Sequence, residues 1–352
     1  MSVPRITLTM LGATSCGKTT YLHGMYARLS QGFNGYFLYA TDPDADLDLA
    51  DAWTALSEEG TFPRPNDVNK PVGYEFRFLQ GVLPLLEIDC LDFRGGAGTD
   101  RGNREDSPED IAMLRERIEV SDAIFLVLDG QHVGQWIADG ARPHVNPATD
   151  PMRIATFSRA INFVIGKRRE TNEPPPSLVV LVTKTDLLPQ VTGMSTREAL
   201  ATLAKNLTNL VQLVAADGVS AMLCPVQIGN FGEATGPTVN PSDVDPRYVH
   251  NPIIFALLHY LTEGITRHEQ QIREVGGQID RQGKEVATLS AGLFGGFFKR
   301  GEMKSGNAKI DAWREELRSM EDEVSGARKR AESLAEELHH MPIYRSGKLQ
   351  EA

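Results

Sequence analysis

The chain of 352 residues carries 41% apolar and 24% charged side chains, the proportions of an ordinary globular protein with material for one large domain or two smaller ones. A net charge of −11 argues against a surface that coats nucleic acid, and no nucleic-acid partner is expected. No apolar run reaches the roughly 18 residues a membrane span needs, and the first apolar segment leads into a glycine loop rather than a signal-peptide cleavage site, so a cytoplasmic protein is expected.

In chain order, apolar runs rich in β-branched residues recur at 6–11, 74–78, 83–91, 123–128, 178–182 and 221–228. Stretches that read as helices separate most of them, the pattern of an α/β domain with a largely parallel sheet. One pair departs from it. "YEFRF" alternates apolar and polar residues, and only "LQGV" separates it from "LPLLEIDCLDF". So short a link permits only an antiparallel hairpin, and the alternation places the first strand at the sheet edge with one face wet. At "SPED" Ser107 suits a helix cap and Pro108 the first helical position. Residues 129–151 and 229–250, rich in Gly, Pro, Asn and Asp, read as loops or insertions, and "NEPPPS" as a stiff lead-in to the next strand. Cys16, Cys90 and Cys224 lie in or beside apolar runs and read as reduced core thiols.

Beyond about Pro252 the pattern changes. Ile265, Ile272, Ile279 and Val286 recur every seven residues, with His268, Val275, Gln282 and Leu289 in the alternate seam. The return arm, Ile310, Trp313, Leu317, Met320, Val324, Ala327, Ala331, Leu334 and Leu338, alternates steps of three and four. These arms predict an antiparallel coiled-coil hairpin over 263–342, each arm roughly 35–45 Å long at 1.5 Å per residue. Gly276, Gly277 and Gly283 should weaken the first arm, and the tip at 290–307 is too glycine-rich to continue a helix. Residues 343–352 read as a tail.

The chemistry sits in three short stretches. In "LGATSCGKTT", Leu11 to Thr20, Gly12 and Gly17 are followed at once by Lys18 and Thr19. A loop that wraps a phosphate must turn its own N–H groups inward, which glycine permits, and the next helix offers its positive N-terminus to the same anion. Lys18 then reaches the β- and γ-phosphates, and the Thr19 hydroxyl can ligate Mg²⁺. At the end of a later strand, "DCLDFRGG" supplies Asp92, able to hold Mg²⁺ through water, and Gly95, whose N–H can meet a γ-phosphate. "LVVLVTKTDLL" then ends a strand with Thr183, Lys184, Thr185 and Asp186. A carboxylate that accepts from guanine N1–H and the 2-amino group rejects adenine, which lacks that paired donor edge, and the Lys184 stem can lie along the base.

Together these stretches resemble the first, third and fourth motifs of the translation-factor-related P-loop GTPases, the class that includes Ras-like proteins, in a bacterial type. The likeness spans residues 1–262, with insertions near 129–151 and 229–250. It implies a P-loop NTPase three-layer sandwich with a mostly parallel sheet and one antiparallel edge strand, followed by the helical hairpin. It also implies bound GTP or GDP, Mg²⁺ on Thr19 and Asp92, and hydrolysis of GTP to GDP and phosphate. By motif position Gly12, Ser15, Cys16, Gly17, Lys18, Thr19 and Thr20 would line the phosphates, and Lys184 with Asp186 the base. Lys18, Thr19, Asp92 and Gly95 would carry the catalysis.

The departures are specific. For a switch threonine the segment "EEGTFPRPNDVNKP" offers Thr61, with Asn66 or Asp67 nearer the strand, while Thr41 and Thr54 are poorer by distance. Gly96 stands where Ras-like proteins carry a water-positioning glutamine, so intrinsic hydrolysis should be slow. Arg94, Arg101 or Arg104 would have to serve as any cis-acting finger. For the fifth motif Ser220–Ala221 matches in letters but precedes its strand, and Ile228, Gly229 and Asn230 are better placed.

The expected role is a nucleotide-dependent switch for a protein effector, or self-association through the hairpin. The tip "GLFGGFFKR" raises a second occupant, a membrane surface met by Leu293, Phe294, Phe297 and Phe298 with Lys299, Arg300 and Lys304 alongside, as in dynamin-like GTPases. A GTP-bound scaffold without turnover and an ATPase with an accidental "TKTD" are the rival readings.

Overall fold

The computed structural model of the chain describes residues 3–63, 72–92, 108–143, 150–232, 236, 238–291 and 298–350. Two compact units divide it, residues 1–256 with 338–352, and residues 257–337.

In the first unit the elements run β1 (Arg5–Gly12), α1 (Lys18–Ser30), β2 (Tyr36–Ala40), α2 (Pro43–Glu59), β3 (Val72–Gln80), β4 (Leu83–Asp92), α3 (Pro108–Val120), β5 (Ala123–Asp129) and α4 (Gly130–Ala138). There follow α5 (Ile154–Glu170), β6 (Ser177–Thr183), α6 (Leu188–Thr192), α7 (Thr196–Leu210), β7 (Ser220–Pro225), β8 (Gln227–Gly229) and β9 (Val244–Arg247). The helices α8 (Asn251–Ala291) and α9 (Phe298–Glu337) come next, then β10 (Ile343–Arg345) and β11 (Lys348–Leu349).

One nine-stranded sheet has the order β11-β10-β7-β6-β5-β1-β4-β3-β2. Strands β4, β1, β5, β6 and β7 are parallel, and antiparallel strands close both edges. Every residue of β5 and β6 is buried, as expected for central parallel strands covered on both faces. Alternation divides them between two layers. Ile124, Leu126 and Leu128 join the helices α3 to α7 in one core, while Phe125 meets Tyr21 of α1 edge-on at 6.4 Å on the other face. The architecture is the mostly parallel P-loop sandwich that the motifs imply.

Several expectations change. The alternating strand β3 is not the sheet edge, because β2 pairs outside it from Tyr36 to Ala40. Phe76 and Phe78 are therefore buried, stacked on Tyr26 and Tyr36. Residues 129–151 are not merely a loop. Asp129 caps α4 by accepting from Gln131 N at 2.8 Å, and Val133, Trp136 and Ile137 bury one helical face. Polar composition hid an apolar spacing of three and four. In the stretch 229–250, β8 and β9 form a separate two-stranded ribbon, and Asn230 N donates to Asp243 O at 2.9 Å to close it.

The second unit is an antiparallel helical pair. His268 faces Glu323 and Arg328 bridges to Glu269, while the seam residues Ile272 and Val324 line the same groove. Three glycines do not interrupt α8, which is one continuous helix of 41 residues. Nor does the non-helical tip extend to residue 307, since α9 starts at Phe298. Gly306 has a packing reason there. An added Cβ would lie 2.6 Å from Val286 Cγ2, so the small residue lets the two helices approach. No described helix is long and apolar enough to cross a membrane.

Residues 343–350 are not a detached tail. Ile343, Tyr344 and Arg345 pair with Met222, Ala221 and Ser220, and the buried Tyr344 ring sends its hydroxyl to Ala204 O at 2.7 Å. Truncating that ring leaves a cavity against β7 and α7. Tyr344→Ala should therefore lower unfolding stability by about 3 kcal/mol, read from the urea midpoint, whereas a free tail would leave the midpoint unchanged.

Candidate functional site

Parallel register brings four strand ends to one rim. Met10 lies opposite Asp92, Gly12 opposite Val127, and Asp129 opposite Thr183, so β1, β4, β5 and β6 all finish there. Between β1 and β5 the order of connection reverses, the place where open α/β sheets hold ligands.

The loop Gly12–Gly17 crosses this rim under tight steric limits. A Cβ on Gly12 would sit 2.6 Å from Val127 O and 2.7 Å from Cys16 Sγ. Gly17 has φ +86° and faces Thr183, and Ser15 also takes a left-handed conformation at the exposed tip. Helix α1 then starts at Lys18, and Thr19 and Thr20 lie half-buried in its first turn. The Lys18 ammonium is buried over the loop, donating to the carbonyls of Gly12 and Ala13, each at 3.0 Å. Burial pushes the Cys16 thiol up, against the pull of Lys18, which keeps it a neutral S–H.

The side chains on the rim hold one another. The Thr19 hydroxyl donates to Asp92 Oδ2 at 3.0 Å, with Asp92 buried. An alcohol and a carboxylate side by side are hard oxygen donors of the kind Mg²⁺ takes, and that ion keeps most of its waters, so a small protein donor set fits it. Thr183 Oγ1 lies 2.6 Å from the Cys16 carbonyl and 3.2 Å from that of Leu128, so its proton goes to the loop and ties β6 to it. Lys184, at φ 49°, turns back to pair with the buried Asp129 at 2.6 Å. Gly130 permits that turn, since its Cβ would lie 2.4 Å from Lys184 O.

Asp186 follows on a short 3₁₀ turn, Thr185–Leu187. Its Oδ2 accepts from the backbone N–H groups of Phe231 at 3.0 Å and Gly232 at 2.9 Å. Lys18, Thr19, Asp92, Lys184 and Asp186 are thus gathered on elements meeting at one rim. Gly229, the fifth-motif candidate, is buried in β8 against the Phe231 ring and Asp243 O, and the adjoining residues 231 and 232 give their N–H groups to Asp186. Ser220–Ala221 opens β7, at the opposite end from the rim.

Thr61 forms a bridge with Thr238, Thr54 is on α2, and Thr41 donates its hydroxyl to Glu75 O. Asn66, Asp67, Arg94, Gly95, Gly96, Arg101, Arg104, Ser107, Leu293, Phe294 and Phe297 lie outside the described residues. Sequence reasoning missed Asp129, Phe62, Phe231 and Gly232. For Asp129 a signal existed, an acidic residue and a glycine ending a wholly apolar strand. For the other three there was none.

No protein-family model matches the sequence, and no curated protein matches it. Among solved structures it is similar to the GTPase-like domain of Ski7 from S. cerevisiae bound to GTP, at 15% identity and a TM-score of 0.35, over 63% of this chain and 43% of that one. Sup35 complexed with GDP is similar at 11% identity and a TM-score of 0.26, over 64% of this chain and 38% of that one. The chain spans less than half the length of either.

Thr183→Val keeps the volume of the side chain and leaves the Cys16 carbonyl without its donor. It should cost about 1–3 kcal/mol of stability and speed amide exchange at Ser15–Gly17. A loop held by its own backbone alone would show neither change.

Proposed function

We propose that the chain binds GTP and GDP and hydrolyses GTP to GDP and phosphate, slowly unless stimulated. One observation carries the guanine reading: Asp186 lies just past Thr183, whose hydroxyl contacts the loop that Lys18 follows. A carboxylate selective for a purine edge and a cradle for phosphates therefore belong to one rim. Guanine offers N1–H and the 2-amino group to that carboxylate, and adenine would leave it desolvated and unpaired.

In this reading the N–H groups of Gly12 to Thr20 and the start of α1 orient the phosphates. Lys18 moves its ammonium from the loop carbonyls to the β- and γ-phosphates. Thr19 and Asp92 would hold Mg²⁺, which when bound neutralises charge on the phosphates. Charge developing on the transferring phosphoryl meets Lys18 and the loop donors already in place, so little reorganisation is needed. Asp129 keeps the Lys184 stem where it can lie along the base. Gly95 would add an N–H on the γ-phosphate side. We read the protein as a cytoplasmic switch whose helical pair, coiled-coil in its seam, meets a protein effector or a second copy. The charged groove of Glu269, Arg273, Glu321 and Arg328 supports that over membrane contact at Phe294, Phe297 and Phe298.

Calorimetry with diphosphates tests the base. Wild type should bind GDP and not ADP, while Asp186→Asn, which swaps an acceptor for an amide donor, should lose GDP affinity by roughly a hundredfold and gain xanthosine diphosphate. Equal wild-type affinity for ADP and GDP would sink the guanine assignment. Single-turnover phosphate release tests the reaction. Wild type should release phosphate slowly and Lys18→Ala not measurably, and wild type that binds GTP yet releases none is a scaffold rather than an enzyme.

A further inference from the structure

Among the described residues, the excursion between β8 and β9 is fastened at its base, at its first turn and at its outer part. Its base is closed by Asn230 N donating to Asp243 O. Its first turn is fastened by the Asp186 carboxylate, which takes the N–H groups of Phe231 and Gly232 on one oxygen. Its outer part is fastened to the end of α2. There Val239 N donates to Gly60 O at 2.7 Å, and Thr61 bridges to Thr238. Gly60 has φ +71°, and a Cβ on it would fall 1.9 Å from Val239 O, so this contact admits glycine alone. Just beyond, the half-buried Phe62 ring meets the Phe231 ring edge-on, with centroids 5.3 Å apart and an interplanar angle of 85°.

These contacts form a chain of support. A carboxylate on a short 3₁₀ turn rotates about χ2 unless something holds its plane. Here two adjacent N–H groups hold Oδ2, and the turn that presents them is braced by an aromatic pair whose second member lies in the segment just past α2. Rotating the carboxylate hardly alters where a purine's phosphates sit, but it misdirects the acceptor that meets the exocyclic amine. Base selectivity, more than overall affinity, then depends on the brace.

We infer that Phe62 is a specificity-determining positioning residue: by packing on Phe231 it holds the 230–232 turn that orients Asp186 toward the 2-amino group of guanine. The inference rests on the guanine reading above. Hypoxanthine differs from guanine only in lacking that amine, so the ratio of GDP to IDP affinity reports the contact directly.

The test is calorimetry of the full chain with GDP and IDP, for wild type, Phe62→Ala and Phe62→Tyr. Wild type should prefer GDP, Phe62→Ala should reduce the preference by roughly tenfold while IDP affinity changes little, and Phe62→Tyr, which keeps the ring edge, should restore it. Should Phe62→Ala fail to fold, Phe62→Val keeps apolar bulk without a ring and should show a smaller drop in the same ratio. An unchanged ratio in folded Phe62→Ala or Phe62→Val overturns the inference and leaves the guanine reading standing. Equal loss of GDP and IDP affinity also overturns it, because a merely structural brace would act so. A wild-type ratio near one overturns the guanine reading itself.

Discussion

Parallel strands end together. The fold depends on that constraint, because β1, β4, β5 and β6 run the same way and so deliver Gly12, Asp92, Asp129 and Thr183 to a single rim. A hairpin link between any two of them would have sent one of these residues to the other side of the sheet. The long helical crossovers that parallel pairing requires also cover both faces, which buries β5 and β6 at every position and leaves polar residues only at their ends. The same sheet geometry thus accounts for the core and for the place where polar groups gather.

At that rim like charges are kept apart by dedicated partners. Asp92 accepts from the Thr19 hydroxyl, Asp129 from Lys184 and the Gln131 N–H, and Asp186 from two backbone N–H groups. Each is therefore oriented by contacts within the fold itself. Lys18 differs in kind, for its partners are two carbonyls and the Cys16 sulfur of the loop itself, weaker acceptors than a charged oxygen.

The second unit obeys simpler rules. A heptad seam makes two helices lie side by side, yet a pair of helices can only half-bury that seam, so Ile272 and Leu317 stay partly exposed while Ile310 and Val324 are buried. Continuity of α8 through Gly276, Gly277 and Gly283 shows seam packing and interhelix ion pairs outweighing a weak propensity penalty. Propensity misjudged the tip for the same reason, since Gly306 is there to admit Val286.

Features carried by contiguous residues were legible beforehand: the loop around Gly17, the acidic end of β4, "TKTD" after an apolar strand, and the seam of both long helices. Each is a local pattern whose chemistry needs those residues within a few positions of one another. Other features join residues remote in the chain, and a linear reading has no term for them. Thr183 and Cys16 are 167 positions apart, and Asp186 and Phe231 are 45. Tyr344 lies opposite Ala221 only because the sheet edge was vacant there, so its short apolar run looked like a tail. Which motifs exist was a matter of covalent neighbourhood. Which of them touch, and what braces Asp186, was settled by register and packing, where free energy comes from contacts that exist only once the chain is closed upon itself.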